Sequence, residues 1–372
     1  MKRLVLLLVL LLLLGMCLPA WAEDAEGSEM LYSLVDESGV VIASIHGHCS
    51  EGDEYISGDN RQYRVTQVNE NDHTALVEDL GDAEMPSISW MDENESVPVS
   101  AVGKRKIALY CTHSDESYIK GDGTESDEQK GGIYDIAGMF GEKLEKLGAT
   151  VEFNTETHHP HDAGAYRRSR QTAMSLIKTQ PNAIFDIHRD GIPDPDEYAV
   201  TIGDKPMSKV RLLVGKSNQN KDANLAFAKQ IKAVGDKVYP GLIKDIYIGK
   251  GTYNQDLAPR SVLLEFGTHT LPKERVEAST GPMAEVIYKT LFGGIVGSAG
   301  ASDAGSKKAA ETSKPATESN EGSGAAVWLI VALVIGLGVF AFLSAGKSGG
   351  MEKWKRSFSE MTGGLIGKKP KK

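Results

Sequence analysis

Residues 183–188 read AIFDIH, an apolar run that ends on His188 and is followed at once by Arg189, Asp190 and Gly191. Runs of four to six aliphatic residues bounded by polar or glycine positions read as fully buried strands, a pattern that short buried helices share. Two further runs have the same form. KIALYCTH (106–113) closes on His113, and SVLLEFG (261–267) carries Glu265 close to its end. In open α/β sheets ligand groups gather just beyond the carboxyl ends of the strands, so strands ending in His, His and Glu are expected to converge on one site.

Working outward, residues 104–296 alternate strand and helix patterns. A loop rich in Gly, Asp, Glu and Ser (114–132) precedes IAGMFGEKLEKLG, whose apolar residues fall at helical spacing and whose Gly148 reads as the stop. ATVEF reads as a strand, followed by a loop with three histidines, a helix over about 165–178 ended by Pro181, and the His188 strand. KVRLLVG and IYIGKG read as strands on either side of the helix NLAFAKQIKAVGDKVY, and a last helix is expected over about 284–292. This order predicts an α/β fold with a mainly parallel sheet and flanking helices. About 190 residues are enough for one sizeable core.

Residues 27–100 differ in kind. LYSLVDESGVVIASIHG and RQYRVTQV alternate at the strand period with ESG, EGDE and NEND as turn signals, which predicts a small all-β module. Its final part, 87–100, has the composition of a linker. HGHC (46–49) can bind metal, but alternation puts His46 and His48 on one strand face, where a chance pair is the simpler explanation.

The ends of the 372-residue chain carry membrane signals. Lys2 and Arg3, an apolar run and Ala20-Trp21-Ala22 read as a secretory signal peptide (1–22). A lipoprotein site at Cys17 would need a small residue where Met16 stands. Residues 297–324 form a polar Ser/Ala/Gly-rich linker, expected to be disordered. Residues 325–345 are uncharged and, at 1.5 Å per residue, long enough to span a hydrocarbon core of roughly 30 Å. The tail (346–372) is basic, which marks the cytoplasmic side. The expected placement is a single-pass protein of the cell membrane with its body extracytoplasmic. The net charge of −10 falls to about −18 for that body once leader and tail are set aside, a poor surface for nucleic acid. Cys49 and Cys111 can pair as one disulfide or remain thiols, and two cysteines do not make a disulfide framework.

Zinc in a hydrolase takes three protein ligands and leaves a fourth position open. His113 and His188 are natural nitrogen donors. Glu116, three residues after His113, can fold back to the same point, with Asp115, Asp135, His158, His159 and His161 as competitors. Amide hydrolysis also needs a carboxylate that takes a proton from water and delivers it to the leaving nitrogen, and Glu265 is suited to that role. Its structural alternative is a helix cap or a pair with Arg260. Asp186 lies one layer below His188, where it can hold the ring's outer nitrogen. Arg189 and Asp190 can form an ion pair at the sheet edge. Arg189, Asn254, Gln255 and Arg260 are candidate substrate-binding groups, with loop-stabilising hydrogen bonds as the alternative for the last three.

THSDESY (112–118), AYRRSR (165–170), FDIHRDG (185–191) and YNQDLAPRSVLLEFG (253–267) occur in an order that resembles the stage II sporulation protein P family. The resemblance covers about residues 105–292. It implies a zinc-dependent peptidoglycan hydrolase with the fold of N-acetylmuramoyl-L-alanine amidases, acting in septal wall thinning and engulfment during sporulation, with endopeptidase activity also attributed to the family. It implies His113 and His188 as zinc ligands, Glu116 as the third, Glu265 as the catalytic glutamate, and the stage II sporulation D and M proteins as partners. Two features depart from the family: the carboxyl-terminal anchor, and Cys111 where the motif often has its first histidine. Competing functions for the same residues are a zinc endopeptidase or carboxypeptidase on wall peptides, and a catalytically silent wall-binding anchor.

Overall fold

A computed structural model describes residues 30–91, 105–162 and 164–293. The expected leader (1–22), linker (297–324), spanning helix (325–345) and basic tail (346–372) lie outside these residues. Among the described residues no helix is long and apolar enough to cross a membrane.

Five strands come first: β1 (Leu31–Val35), β2 (Val41–His46), β3 (Glu54–Ile56), β4 (Arg61–Asn69) and β5 (Thr74–Asp82). They are followed by β6 (Lys106–Tyr110), α1 (Ile133–Lys146), β7 (Thr150–Phe153), α2 (Ala165–Ile177) and β8 (Ala183–Asp190). The chain continues with β9 (Ala199–Ile202), β10 (Lys205–Ser208), β11 (Val210–Gly215), α3 (Lys221–Val238), β12 (Ile243–Gly249), β13 (Ser261–Thr268) and α4 (Lys273–Phe292). Eleven of the strands form one sheet in the order β2-β1-β5-β4-β3-β12-β11-β13-β8-β6-β7, and β9 and β10 form a separate ribbon.

The sheet is mixed, not mainly parallel. β7, β6, β8 and β13 run parallel, but β11 lies antiparallel to β13. The connections explain the reversal. A parallel neighbour needs a long crossover, usually a helix. Between β8 and β11 the chain makes a 3-10 turn (Pro195–Glu197) and the β9–β10 hairpin but no crossover α-helix, so it returns in the opposite direction. α3 then supplies a crossover, and β12 is parallel to β11. A single 3-10 turn (Gln255–Leu257) separates β12 from β13 and reverses the chain again. β3 adds antiparallel to β12, so the amino-terminal strands continue the same sheet.

Helices cover both faces. α1 buries Ile133, Ile136, Ala137, Phe140 and Leu144, the spacing of one helical stripe. Ile107 and Leu109 of β6 join that core, together with Phe227, Ile231 and Val234 of α3. Ala108 and Tyr110, which alternate with them, face Ala173 and Leu176 of α2. α4, expected from about residue 284, begins at Lys273 and runs through Pro282. The amino-terminal strands enclose a second core of Tyr32, Leu34, Ile45, Val65 and Val77, closed by Tyr247 of β12.

Candidate metal centre and its cleft

β6 and β8 are tied together where they end. Tyr110 stands opposite Asp186 in the register. The Asp186 carboxylate accepts 2.8 Å and 2.6 Å hydrogen bonds from the Thr112 backbone N–H and hydroxyl. His113 is thereby held beside His188. The following loop folds back: the Tyr118 hydroxyl donates to the Phe266 carbonyl at 2.8 Å, and the Glu116 carbonyl accepts from the Ile133 N–H as α1 begins. His113, Glu116 and His188 each offer a ligand atom within 4.8 Å of the others, and all three are buried.

Glu116 Oε1 lies 3.3 Å from His188 Nδ1 and 3.8 Å from His113 Nδ1. Its Oε2 accepts the Arg189 backbone N–H at 2.8 Å. A tetrahedral zinc with bonds of about 2.0–2.1 Å separates its ligand atoms by about 3.3 Å, so two imidazoles and one carboxylate at this spacing fit zinc. His188 Nε2 sits 3.0 Å from Asp186 Oδ1, an ion-pair distance without hydrogen-bond alignment. Asp186 thus backs the ring where an outer partner fixes a ligand's orientation.

Charge is arranged to match. Burial pushes the Glu116 carboxyl up, but His188, with Arg189 and His113 behind it, outweighs burial and holds it at about 2. Burial likewise opposes a charged His188, yet Asp186 and Glu116 raise its pKa well above the ordinary histidine value. A cation therefore finds two carboxylates already selecting for positive charge.

Glu265 stands beside His188 in the parallel register of β13 and β8. Its Oε2 is buried and has no hydrogen-bond partner. Burial, and then the charge of Asp190, raise its pKa well above the usual carboxylate range, against the pull of His188 and Arg211. One extra residue is accommodated between Glu265 and Thr268 relative to β8. Gly267, at φ 71°, takes up that bulge, and bulges commonly re-aim side chains next to sites. Arg211 of β11 faces Glu265 from the other side.

Of the competitors for the third ligand, Asp135, His158 and His159 go elsewhere, while His161 contacts His113 Nδ1 with Asp115 behind it. Asp135 pairs with Lys273 at 2.7 Å, and His158 bonds the Cys111 carbonyl and Thr172. His159 has its Nε2 buried without a partner. His161 does reach the cleft, edge-on to His113, with Asp115 3.1 Å behind it. Cys111 lies in the core, its thiol pushed up by burial. Both described cysteines are free.

The cleft encloses about 880 Å³ including its mouth. Arg189 lines it, but its guanidinium donates to the carbonyls of Ser117, Asp190 and Glu125, while Asp190 pairs with Arg211 and Tyr198. The expected Arg189–Asp190 ion pair is therefore replaced by a buried Arg211–Asp190 pair. Asn254 and Gln255 are buried and bond Tyr166, Ser169, Leu213 and Gly215, which makes them staples of the loop after β12. Neither lines the cleft, nor does the exposed Arg260. Sequence reasoning missed Tyr253 and Lys250 of that loop, and it set aside His46 and His48, which line the cleft. Their spacing in HGHC was the available signal.

These features define an α/β protein with a buried His–Glu–His cluster able to hold a metal and a carboxylate ranked beside it. The chain belongs to the stage II sporulation protein P family, whose model matches residues 36–288. It is 28% identical over 263 residues to stage II sporulation protein P of Bacillus subtilis (strain 168), a match covering 65% of this chain and 64% of that protein. Among solved structures it is similar to the CwlD amidase from Clostridioides difficile, solved in complex with the GerS lipoprotein (17% identity, 51% of this chain and 95% of that one, TM-score 0.33). A second is N-acetylmuramoyl-L-alanine amidase AmiC2 of Nostoc punctiforme (15% identity, 51% and 96%, TM-score 0.32).

Proposed function

We propose that this chain is a zinc-dependent peptidoglycan hydrolase that cleaves the amide between N-acetylmuramic acid and L-alanine. The observation that carries the reading is the partnerless Oε2 of Glu265 beside a buried His113–Glu116–His188 cluster. Membership in the stage II sporulation protein P family supports a role on the wall during sporulation.

His113, Glu116 and His188 would hold the zinc. When bound, the ion supplies Lewis acidity toward water and the scissile carbonyl. Glu265 accepts the proton of the attacking water at Oε2 and returns it to the leaving nitrogen. For that it must be ionised: burial and Asp190 raise its pKa in the metal-free protein, His188 and Arg211 pull the other way, and a cation held by the cluster would add to that pull. Asp186 keeps the His188 ring oriented, and Tyr166, stacked 6.3 Å from that ring at 12°, closes the cleft beside it.

Digestion of purified sacculi by the zinc-loaded protein decides the bond. Stem peptides with L-alanine amino ends are the expected product. Fragments cut only within the stem would replace the amidase by an endopeptidase. The same reading places the body on the wall side of a membrane anchored through residues 325–345, to be checked by alkaline extraction of membranes.

A further inference from the structure

The cleft does not stop at the metal cluster. Leu263 lies two residues before Glu265 on β13, about 7 Å down the strand and on the same face. Leu213 of β11 is its register partner. Both line the cleft, and beyond them it reaches Tyr247 and the loop after β12 that carries Lys250 and Tyr253. The cleft is thus a groove over the sheet face: a polar catalytic end, an apolar floor, and a far end at Lys250.

Lys250 is a cation exposed at that far end, and among the described residues no carboxylate lies within ion-pair reach of it. Its loop is rigidly built. Tyr253 and Asn254 both have positive φ (49° and 54°). The Gln255 side chain bonds Gly215 N–H and the Leu213 carbonyl. The Tyr253 ring folds over Gly251 so closely that a β-carbon there would fall 2.3 Å from it. The amino-terminal strands complete the wall, since Tyr247 donates to the His48 carbonyl at 3.3 Å.

Resting on the hydrolase reading above, we infer that Lys250 is a substrate subsite that binds a carboxylate of the peptide on the leaving side of the scissile amide. An amide bound at the cluster would place a small apolar residue over Leu263 and Leu213 and the next acidic group near Lys250. The ligand class is a short acidic peptide with a small first residue.

The test uses the full chain loaded with zinc and a muropeptide bearing either a free carboxylate or its amide at the second peptide residue. Wild type should show a KM about tenfold lower for the free acid. Lys250→Ala should raise KM for the free acid about tenfold, with a much smaller change for the amide and kcat within about threefold. Lys250→Arg should restore most of the preference. Equal shifts for both substrates, or a preference that survives Lys250→Ala, would overturn the subsite. Calorimetric binding of the two peptides to Glu265→Gln, with and without Lys250→Ala, reads the same preference without hydrolysis. If wild type releases no stem peptide from sacculi, the amidase reading fails instead; if it does while the acid and amide bind alike, only the subsite fails.

Discussion

Two clusters of buried charge share one rank of this sheet, and they differ in whether their valences are closed. His188, Glu265, Arg211 and Asp245 stand side by side on β8, β13, β11 and β12. At one end, Arg211 donates to Asp245 at 2.7 Å and 3.0 Å, to Asp190 at 2.8 Å and to the Ser44 carbonyl at 3.0 Å. At the other end, Glu265 Oε2 is buried without a hydrogen-bond partner, and His188 Nε2 has only the ion-pair contact with Asp186 at 3.0 Å. Leaving a buried group such as Glu265 Oε2 unpaired costs on the order of 1–3 kcal/mol. A fold that spends stability on one cluster and closes its neighbour separates chemistry from architecture within two strands.

The largest contrast should appear in activity. Glu265→Gln keeps size and removes the base, so hydrolysis of sacculi should fall by about 10²–10⁴-fold, with zinc content and wall binding retained. Stripping zinc with a chelator should abolish activity, and added zinc should restore it. Near wild-type turnover in the glutamine variant would move the base elsewhere. Full activity after verified metal removal would end the zinc reading.

The closed cluster should respond in stability. Arg211→Met leaves Asp190 and Asp245 buried with a lost counter-ion, a change of about 3–5 kcal/mol for a broken buried pair. Urea unfolding followed by circular dichroism measures it. A loss below about 1 kcal/mol would mean that the two carboxylates find water or other donors, and the closed cluster would lose its structural meaning. The contact from Arg211 to Ser44 also joins the amino-terminal strands to the part that carries the metal cluster, so this variant should loosen the cleft wall near His46.

The contrast between clusters also marks what could be read from sequence. His113, His188 and Glu265 were visible because apolar runs of buried strands advertise where they end, and Glu116 because three residues of loop can fold back. The role of Arg211 was invisible inside KVRLLVG. Strand direction resides in the connections, and the β9–β10 ribbon was obscured by Pro206, tolerated there because the pair stands apart from the main sheet. Asn254 and Gln255 look like ligand-binding amides in sequence, yet their partners are as far away as Tyr166 and Leu213. His46 reaches the cleft because the amino-terminal strands dock through β3 on β12 and through Ser44 on Arg211, contacts between residues well over a hundred positions apart.

A smaller effect tests the support behind the open cluster. Asp186→Asn keeps the bonds to Thr112 in shape but removes the charge behind His188. Outer partners of metal ligands are typically worth 10–100-fold in affinity, so zinc dissociation measured by competition with a chromogenic chelator should strengthen in the chelator's favour by about that factor. Unchanged affinity would assign Asp186 to the β6–β8 tie alone.

The smallest effect is the dependence of stability on pH in the metal-free protein, where the two clusters should have opposite signs. Glu265 has its folded pKa raised above the ordinary 4.5 by burial and Asp190. The folded state keeps a proton that the unfolded chain releases, so this contribution is complete below about pH 4.5 and is lost as pH rises through the folded value. For Asp245, burial pushes up but Arg211 and Lys244 prevail and lower the pKa beneath the ordinary 3.8. Its contribution is complete above about pH 3.8 and is lost as pH falls toward the folded value. Glu265→Gln should therefore match wild type near pH 4 and grow more stable than it toward pH 8. Asp245→Asn should be less stable than wild type at neutral pH, with the gap narrowing in acid. Urea midpoints for the three proteins from about pH 2 to 8, with chelator present, separate the cases: curves that stay parallel would show that neither carboxylate titrates differently on folding, and the distinction between an open and a closed cluster would then rest on hydrogen bonding alone.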